Sequence, residues 1–469
     1  MFRMVKLRKT LTFCLLIILV GISVTAIIVF NSDTTNDIGS KDNETNIIGL
    51  TMEEQVSNLS NIYATSIDKF ALWSLLPEDF DWEAVHQEYL TKITTAESMV
   101  EHYEILRSFI SHLGDAHSGV RFPPTTDWYF SPIHVRVIED KIIVRSADSN
   151  FIDIPVGSEI VKINQMPAMK YLRENHGYLS NHRPPLTRDT MLAEIFFGAA
   201  VTERAFDIEL ISPEGEIIQR SILFTLEPPD MNFLSMSPQL NYGNVSEEWE
   251  YSTDTFRVQR HTSNILRIRV EHFQNEDFAQ DIRNYLTNHF EADAVIIDAR
   301  RHNGGNGGLG YELLSHFIDI TELNHLSIIR FDGFRNLDPF NAQSPYVIEL
   351  NSQSAGLYEI PVVILTDHRS GSAGEDFIAV AKGTNRFTIM GTNTMGITGQ
   401  LLFFPLRGGG EFFLSTNRTF TADGQDISGN GIAPDITVEQ TYDDFLNGID
   451  TQLRAAVEYL QIKIRDQDE

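Results

Sequence analysis

From residue 263 to about 391 the chain alternates β-branched runs with segments whose apolar residues recur at helical spacing, and no other feature constrains the fold as much. NILRIRVEHF precedes DFAQDIRNYLTNHF, AVIIDAR precedes YELLSHFI, PVVILT precedes EDFIAVAKG, and FTIMG ends the series. Such alternation predicts helices packed on a mostly parallel sheet, with a site expected at the strand ends. FFLSTNRTFTADG, GIAPDITV and a closing helix, DDFLNGIDTQLRAAVEYLQ, complete an α/β core over 263–469.

The pattern differs upstream. Residues 47–125 read as a helical bundle, with apolar spacing of three and four in NLSNIYATSIDKFALWSLL and again in WEAVHQEYLTKI and MVEHYEILRSFISHL. Residues 126–230 shift to short β-like runs, IHVRVI, KIIVRSA, SEIVKIN, FDIELIS and RSILFTLE, with a helical stretch around MKYLREN, and read as a separate α+β module. Residues 231–262 are polar and irregular and are expected to be a linker. At the N-terminus Arg3, Lys6, Arg8 and Lys9 precede an apolar stretch from Leu11 to Phe30. At about 1.5 Å per helical residue that stretch spans roughly 30 Å, one bilayer core. The flanking charge puts its start in the cytoplasm and the rest outside, past the polar linker that follows. An uncleaved anchor is expected, with a cleaved signal peptide and a secreted product as the alternative.

Charge narrows the partners. The chain has 36 Lys plus Arg against 65 Asp plus Glu, a net charge of -29, which disfavours nucleic acid because phosphate contacts need cations. With one cysteine, Cys14, no intrachain disulfide or thiolate zinc site can form, and the histidines lack ligand spacing; no metal or cofactor is expected.

Three stretches carry candidate chemistry. DHRSGSAGEDF sets Ser372 where a strand turns into a helix, as a nucleophile or as a hydroxyl capping the helix start. Ser370 breaks the G-x-S-x-G pattern, so the hydrolase-type nucleophile elbow is not expected. AVIIDARRHNGG ends a buried strand in glycines whose backbone amides suit an oxyanion hole, or merely a tight turn. His117 in LRSFISHLGDAHSGV leaves a helix end among small residues, where it could act as a base or cap the helix.

Together these segments resemble the tail-specific, or carboxyl-terminal processing, serine peptidases, and most closely their tricorn-like branch, whose base is histidine. LGDAHSGV is similar to that branch's histidine segment, IIDARRHNGG to I-I-D-L-R-x-N-x-G-G, and DHRSGSAGED to the x-x-S-A-x-E segment, with Glu375 three residues after Ser372. GTNTMGITGQ resembles the following G-x-x-T-x-G loop, GNGIAPDITV the C-terminal G-x-G-I-x-P-D element, and VGSEIVKINQMPAMKYL a PDZ-like segment. Two departures stand out: Ile397 or Thr398 lies where lysine-type members carry Lys, and Ser428 lies about where tricorn-like members carry Glu.

The resemblance implies an α/β fold with a ClpP/crotonase-like mixed-sheet core, an N-terminal helical bundle and an inserted PDZ-like α+β module. Together with the N-terminal segment it implies an anchored extracytoplasmic serine endopeptidase acting on polypeptides, with Ser372 as nucleophile, His117 as base, and Asp426 in place of the missing Glu, or an unidentified acid, as the orienting group. Gly304 or Gly305, with Ala373, would supply the oxyanion donors. A non-catalytic peptide-binding protein of the same fold, and an esterase or amidase using the same residues, are the alternatives.

Overall fold

A computed structural model describes residues 49–148, 153–228, 249–302, 304–319, 329–332, 346–347 and 358–468. The expected anchor, Leu11 to Phe30, lies outside them; among the described residues no helix is long and apolar enough to cross a membrane.

The alternating region forms a seven-stranded sheet. Ile265–Val270, Ala294–Asp298, Val362–Thr366, Thr388–Gly391 and Ile436–Thr437 run parallel in that order, and Phe256–His261 and Tyr251–Ser252 extend the sheet antiparallel at one side. Ala294–Asp298 and Val362–Thr366 are buried at every position because both faces are covered. Val295, Ile297 and Ile364 pack with Phe278, Leu313 and Phe377 of the helices on one face. Ala294, Ile296, Val363 and Leu365 pack with Leu453, Ala456 and Leu460 of the C-terminal helix on the other. The mixed α/β class expected from the sequence is the class observed.

Several details differ from expectation. The 231–262 stretch is not all linker: Tyr251–Ser252 and Phe256–His261 belong to the core sheet, and 229–248 lies outside the described residues. Phe256 and Val258 face the core, while Arg257 pairs with Glu271 and Arg260 with Glu250 on the outside, so charge hides the alternation. A second helix of the α+β module, Pro185–Phe196, starts on a proline at its first position. Gly448, at φ 73°, divides the expected final helix into Tyr442–Leu446 and Thr451–Asp468.

The helices Met52–Lys69, Trp82–Ile93 and Met99–Ser111 form the bundle, but their core is shared. Leu406, Phe412 and Leu414, from or beside the hairpin Leu401–Pro405 and Glu411–Ser415, pack among Leu59, Tyr103 and Phe109, and Gly119–Arg121 joins that hairpin as a third strand. This long-range pairing carries His117 to the core.

Candidate active site

Ser372 follows the strand Val362–Thr366 and immediately precedes the helix Ala373–Gly383. Its backbone sits at φ 54°, ψ -126°, a conformation that a side chain rarely adopts and that costs about 1–3 kcal/mol. The Ser372 hydroxyl makes no capping bond to the helix, which rules out the capping role in this conformation. The strand-to-helix turn is sharp and leaves the hydroxyl outside the helix's own hydrogen bonds, although G-x-S-x-G is absent. Gly371 and Gly374 supply the space for this turn, since a Cβ on them would fall 2.8 Å from Ile397 and 2.7 Å from His302.

Gly304 closes over Ser372. At φ 100° it bears no Cβ, and a Cβ there would lie 3.0 Å from Ser372 Oγ and 3.3 Å from the Ala373 nitrogen. Ala373 is the first residue of its helix, where backbone N–H groups have no intrahelical acceptor. The Gly304 N–H itself donates to His302 Nδ1 at 3.1 Å. Gly305 is pinned alongside, its neighbours bonding Phe273 through Phe273 N–H to Gly304 O and Asn306 N–H to Phe273 O.

His117 is held from two sides. Asp115 accepts from the His117 amide at 3.1 Å and from the Ser118 hydroxyl at 2.5 Å, and Ser118 Oγ accepts from the Ser415 amide of the hairpin. The ring Nδ1 lies 3.1 Å from the Thr398 carbonyl oxygen. A carbonyl only accepts, so Nδ1 carries the hydrogen, and in the neutral ring the lone pair sits on Nε2, the tautomer a general base requires. Thr398 follows Ile397, whose carbonyl accepts the Ser372 amide at 2.7 Å. Successive carbonyls of one loop thus hold the Ser372 backbone and the His117 ring.

That loop is clamped by Glu375, fully buried one turn into the helix after Ser372. Its carboxyl accepts from Thr394 Oγ1 at 2.5 Å, the Gly396 amide at 2.7 Å and the Ile397 amide at 2.8 Å. Burial pushes the acid up to about 8 against the pull of these donors. Asp426 is engaged elsewhere: its carboxylate accepts from Arg418 at 2.6 and 3.0 Å and from the Ser428 amide at 3.1 Å. Ser428 instead lies beneath the loop, its hydroxyl 3.2 Å from Thr398 Oγ1.

Sequence reasoning gave no role to Glu375, His302 or the Thr398 carbonyl. Glu375 was visible in the motif; His302 is visible only as a histidine at the Asn position of I-I-D-L-R-x-N-x-G-G. Burial brings the His302 ring down to about 3, so it is neutral and can accept the Gly304 N–H.

Comparison with known proteins bears on family and fold. Residues 264–438 match the pattern of Peptidase family S41. The carboxy-terminal-processing protease of Bartonella bacilliformis (strain ATCC 35685 / KC583 / Herrer 020/F12,63) is 30% identical over 161 residues, 34% of each chain. Carboxy-terminal processing protease CtpB of Bacillus subtilis (strain 168) is 25% identical over 214 residues, 45% of this chain and 40% of that one. The match thus spans about a third to two fifths of the length of these curated relatives. Mature CPAF shares the fold, with a TM-score of 0.69 at 15% identity over 89% of this chain and 98% of that one. The resemblance to the tail-specific S41 peptidases drawn from the motifs therefore stands.

Proposed function

We propose that this chain, whose residues 264–438 fit the S41 peptidase pattern, is a serine endopeptidase that cleaves polypeptides through an acyl-enzyme. The observation that carries the reading is Ser372 in its strained turn, uncapped, tied through the adjacent carbonyls of Ile397 and Thr398 to the ring of His117. Ser372 Oγ attacks the scissile carbonyl carbon as its proton passes to His117 Nε2. The carbon–nitrogen bond then breaks, His117 protonates the leaving amine, and water releases the acyl group by the same route. The Ala373 N–H faces the developing oxyanion, and Gly304 joins it once its bond to His302 opens, each donor contributing about 3 kcal/mol to the barrier.

The orienting group in this scheme is the Thr398 carbonyl rather than Asp426, which Arg418 neutralises. A carbonyl fixes the tautomer but stabilises an imidazolium less than a carboxylate does. That same observation, with the Gly304 amide engaged, is what favours the alternative of a non-catalytic binder. Labelling of the full-length chain with a fluorophosphonate probe separates the two: stoichiometric labelling lost in Ser372→Ala and His117→Ala supports the enzyme, and cleavage of unfolded protein retained in both variants removes the assignment. Faster turnover of esters than of peptides would favour an esterase. We also assign the 126–230 module to receiving an extended peptide by strand addition, as a PDZ-like domain would. Leu11 to Phe30 is assigned to anchoring the chain with its catalytic part outside the cytoplasm, and release of the protein from membranes by alkaline carbonate would remove that part.

A further inference from the structure

The amide that would join Ala373 in holding an oxyanion is engaged by a side chain. Gly304 N–H donates to His302 Nδ1 at 3.1 Å, so the ring accepts from the amide two residues on, as an asparagine oxygen does in an Asx turn. Because Nδ1 accepts, the ring hydrogen sits on Nε2, which is buried and has no hydrogen-bond partner among the described residues. The rest of the ring is closely packed. Its centroid lies 4.2 Å from that of Phe273, and a Cβ on Gly374 would fall 2.7 Å from Nδ1. The His302 carbonyl accepts the Gly371 N–H at 3.0 Å, one residue before Ser372. His302 therefore touches both the turn at Gly304 and the turn that carries Ser372.

Gly304 is anchored differently on its two sides. Its carbonyl accepts the Phe273 N–H at 3.0 Å, and the next residue has no freedom, since a Cβ on Gly305 would fall 2.2 Å from the Phe273 carbonyl oxygen. The amide side is held by the bond to His302. At φ 100° and without a Cβ, Gly304 can turn its N–H at little steric cost, and it does so beside Ser372 Oγ, 3.0 Å from where a Cβ would stand. The contrast with Glu375 is instructive: there both carboxyl oxygens are satisfied, by three donors, and the contact is built to persist. The bond at His302 instead leaves a buried Nε2–H unsatisfied, so its net contribution is small. A hydrogen bond to an ionised acceptor is roughly twice as strong as one to a neutral acceptor, so a developing oxyanion can draw the Gly304 N–H away from the imidazole.

We propose that His302 is an autoinhibitory latch on the oxyanion site, keeping the Gly304 N–H closed in the resting chain and yielding it to the oxygen of a bound substrate, an inference that rests on the peptidase reading above. If opening breaks one net hydrogen bond, about a tenth of the resting chains are competent, and removing the latch raises the rate by up to about tenfold. His302→Phe in the full-length chain keeps a ring against Phe273 but cannot accept. Its fluorophosphonate labelling rate and its kcat on a peptide are each expected to rise about three- to tenfold, with KM within about twofold. His302→Asn, whose side-chain oxygen can re-form the bond, should bring the labelling rate back to within about twofold of the unsubstituted chain. Labelling that is unchanged or slower in His302→Phe overturns the latch. Should the urea midpoint of that variant fall, His302→Leu, which also cannot accept and needs less room, is read by the same criteria. Exchange of the Gly304 amide hydrogen, followed by mass spectrometry of the fragment that holds it, requires no chemistry at Ser372. Exchange about tenfold faster in the variant supports the latch, and equal exchange overturns it. No labelling in any of these chains strikes the nucleophile reading and the latch with it, whereas labelling without acceleration strikes the latch alone.

Discussion

Two neighbouring strands of the central sheet end in opposite ways. Ala294–Asp298 ends on Asp298, fully buried, whose carboxylate meets Arg267 at 2.5 Å, Arg300 at 2.8 Å and Arg269 at 3.5 Å. Val362–Thr366 leads to Ser372 and then to Glu375, equally buried but ringed by a hydroxyl and two backbone amides. Despite the opposing effect of burial, Arg300 and Arg267 hold Asp298 well below the usual carboxylate range, whereas burial lifts Glu375 to about 8. The first strand end is a fixed brace, which Arg300 extends to Asp450, 2.7 Å away at the start of the C-terminal helix. The second is a clamp without a fixed charge, holding the loop that positions both Ser372 and His117. Rigidity next to the candidate nucleophile is thus supplied here by neutral hydrogen bonds, with full charges kept one strand away.

The largest expected effect breaks the brace. Asp298→Asn removes the anion from among three arginines and should destabilise the full-length chain by about 3–5 kcal/mol, read from the shift in urea midpoint. A shift below about 1 kcal/mol would mean that Asp450 and Glu271 alone compensate those arginines.

Glu375→Gln tests the clamp. An amide oxygen at the Oε1 position still accepts from Thr394 and Gly396, but its NH2 then confronts the Ile397 N–H. The expected loss is about 1–2 kcal/mol of stability. Peptide turnover should fall about 10–100-fold, because the Ile397 and Thr398 carbonyls shift with the loop. Turnover that falls no more than stability can explain would return Glu375 to a purely structural role.

The two ends should also respond to pH with opposite sign. Asp298 is depressed, so its contribution is present above the ordinary aspartate value of 3.8 and is lost only as pH falls toward its folded value, in strong acid. Glu375 is raised, so the stability from its neutral form is complete below 4.5 and is lost as pH rises toward about 8. Urea midpoints measured from pH 5 to about pH 9 should decline less steeply in Glu375→Gln than in the unsubstituted chain; parallel curves would show that Glu375 stays ionised throughout.

The contrast also explains what the sequence could reveal. The strand runs were legible because burial on both faces selects continuous Val and Ile, and Ser372 because small residues are needed where a helix start meets a strand end. The Thr398 carbonyl was not legible, since a backbone oxygen leaves no mark on residue type. The fate of Asp426 depends on Arg418 of the strand Asn417–Phe420 lying across from it, a pairing that spacing does not encode. The crowding of Arg136, Arg145, Arg301 and Arg369 appears only when segments far apart in the chain are brought together.

The smallest predicted effect concerns strain, and it separates the turn from the chemistry. Ser372→Gly removes the Cβ from a backbone at φ 54° and ψ -126°, so it should stabilise the chain by about 1 kcal/mol while abolishing fluorophosphonate labelling. Ser372→Ala abolishes labelling too but keeps the Cβ, and its stability should stay within about 0.5 kcal/mol of the unsubstituted chain. A difference between the two variants in urea midpoint measures strain stored at the nucleophile position alone, because both lack the hydroxyl. If glycine proves no more stable than alanine, the turn is not strained, and the space left by Gly371 and Gly374 would be enough to explain how Ser372 is presented.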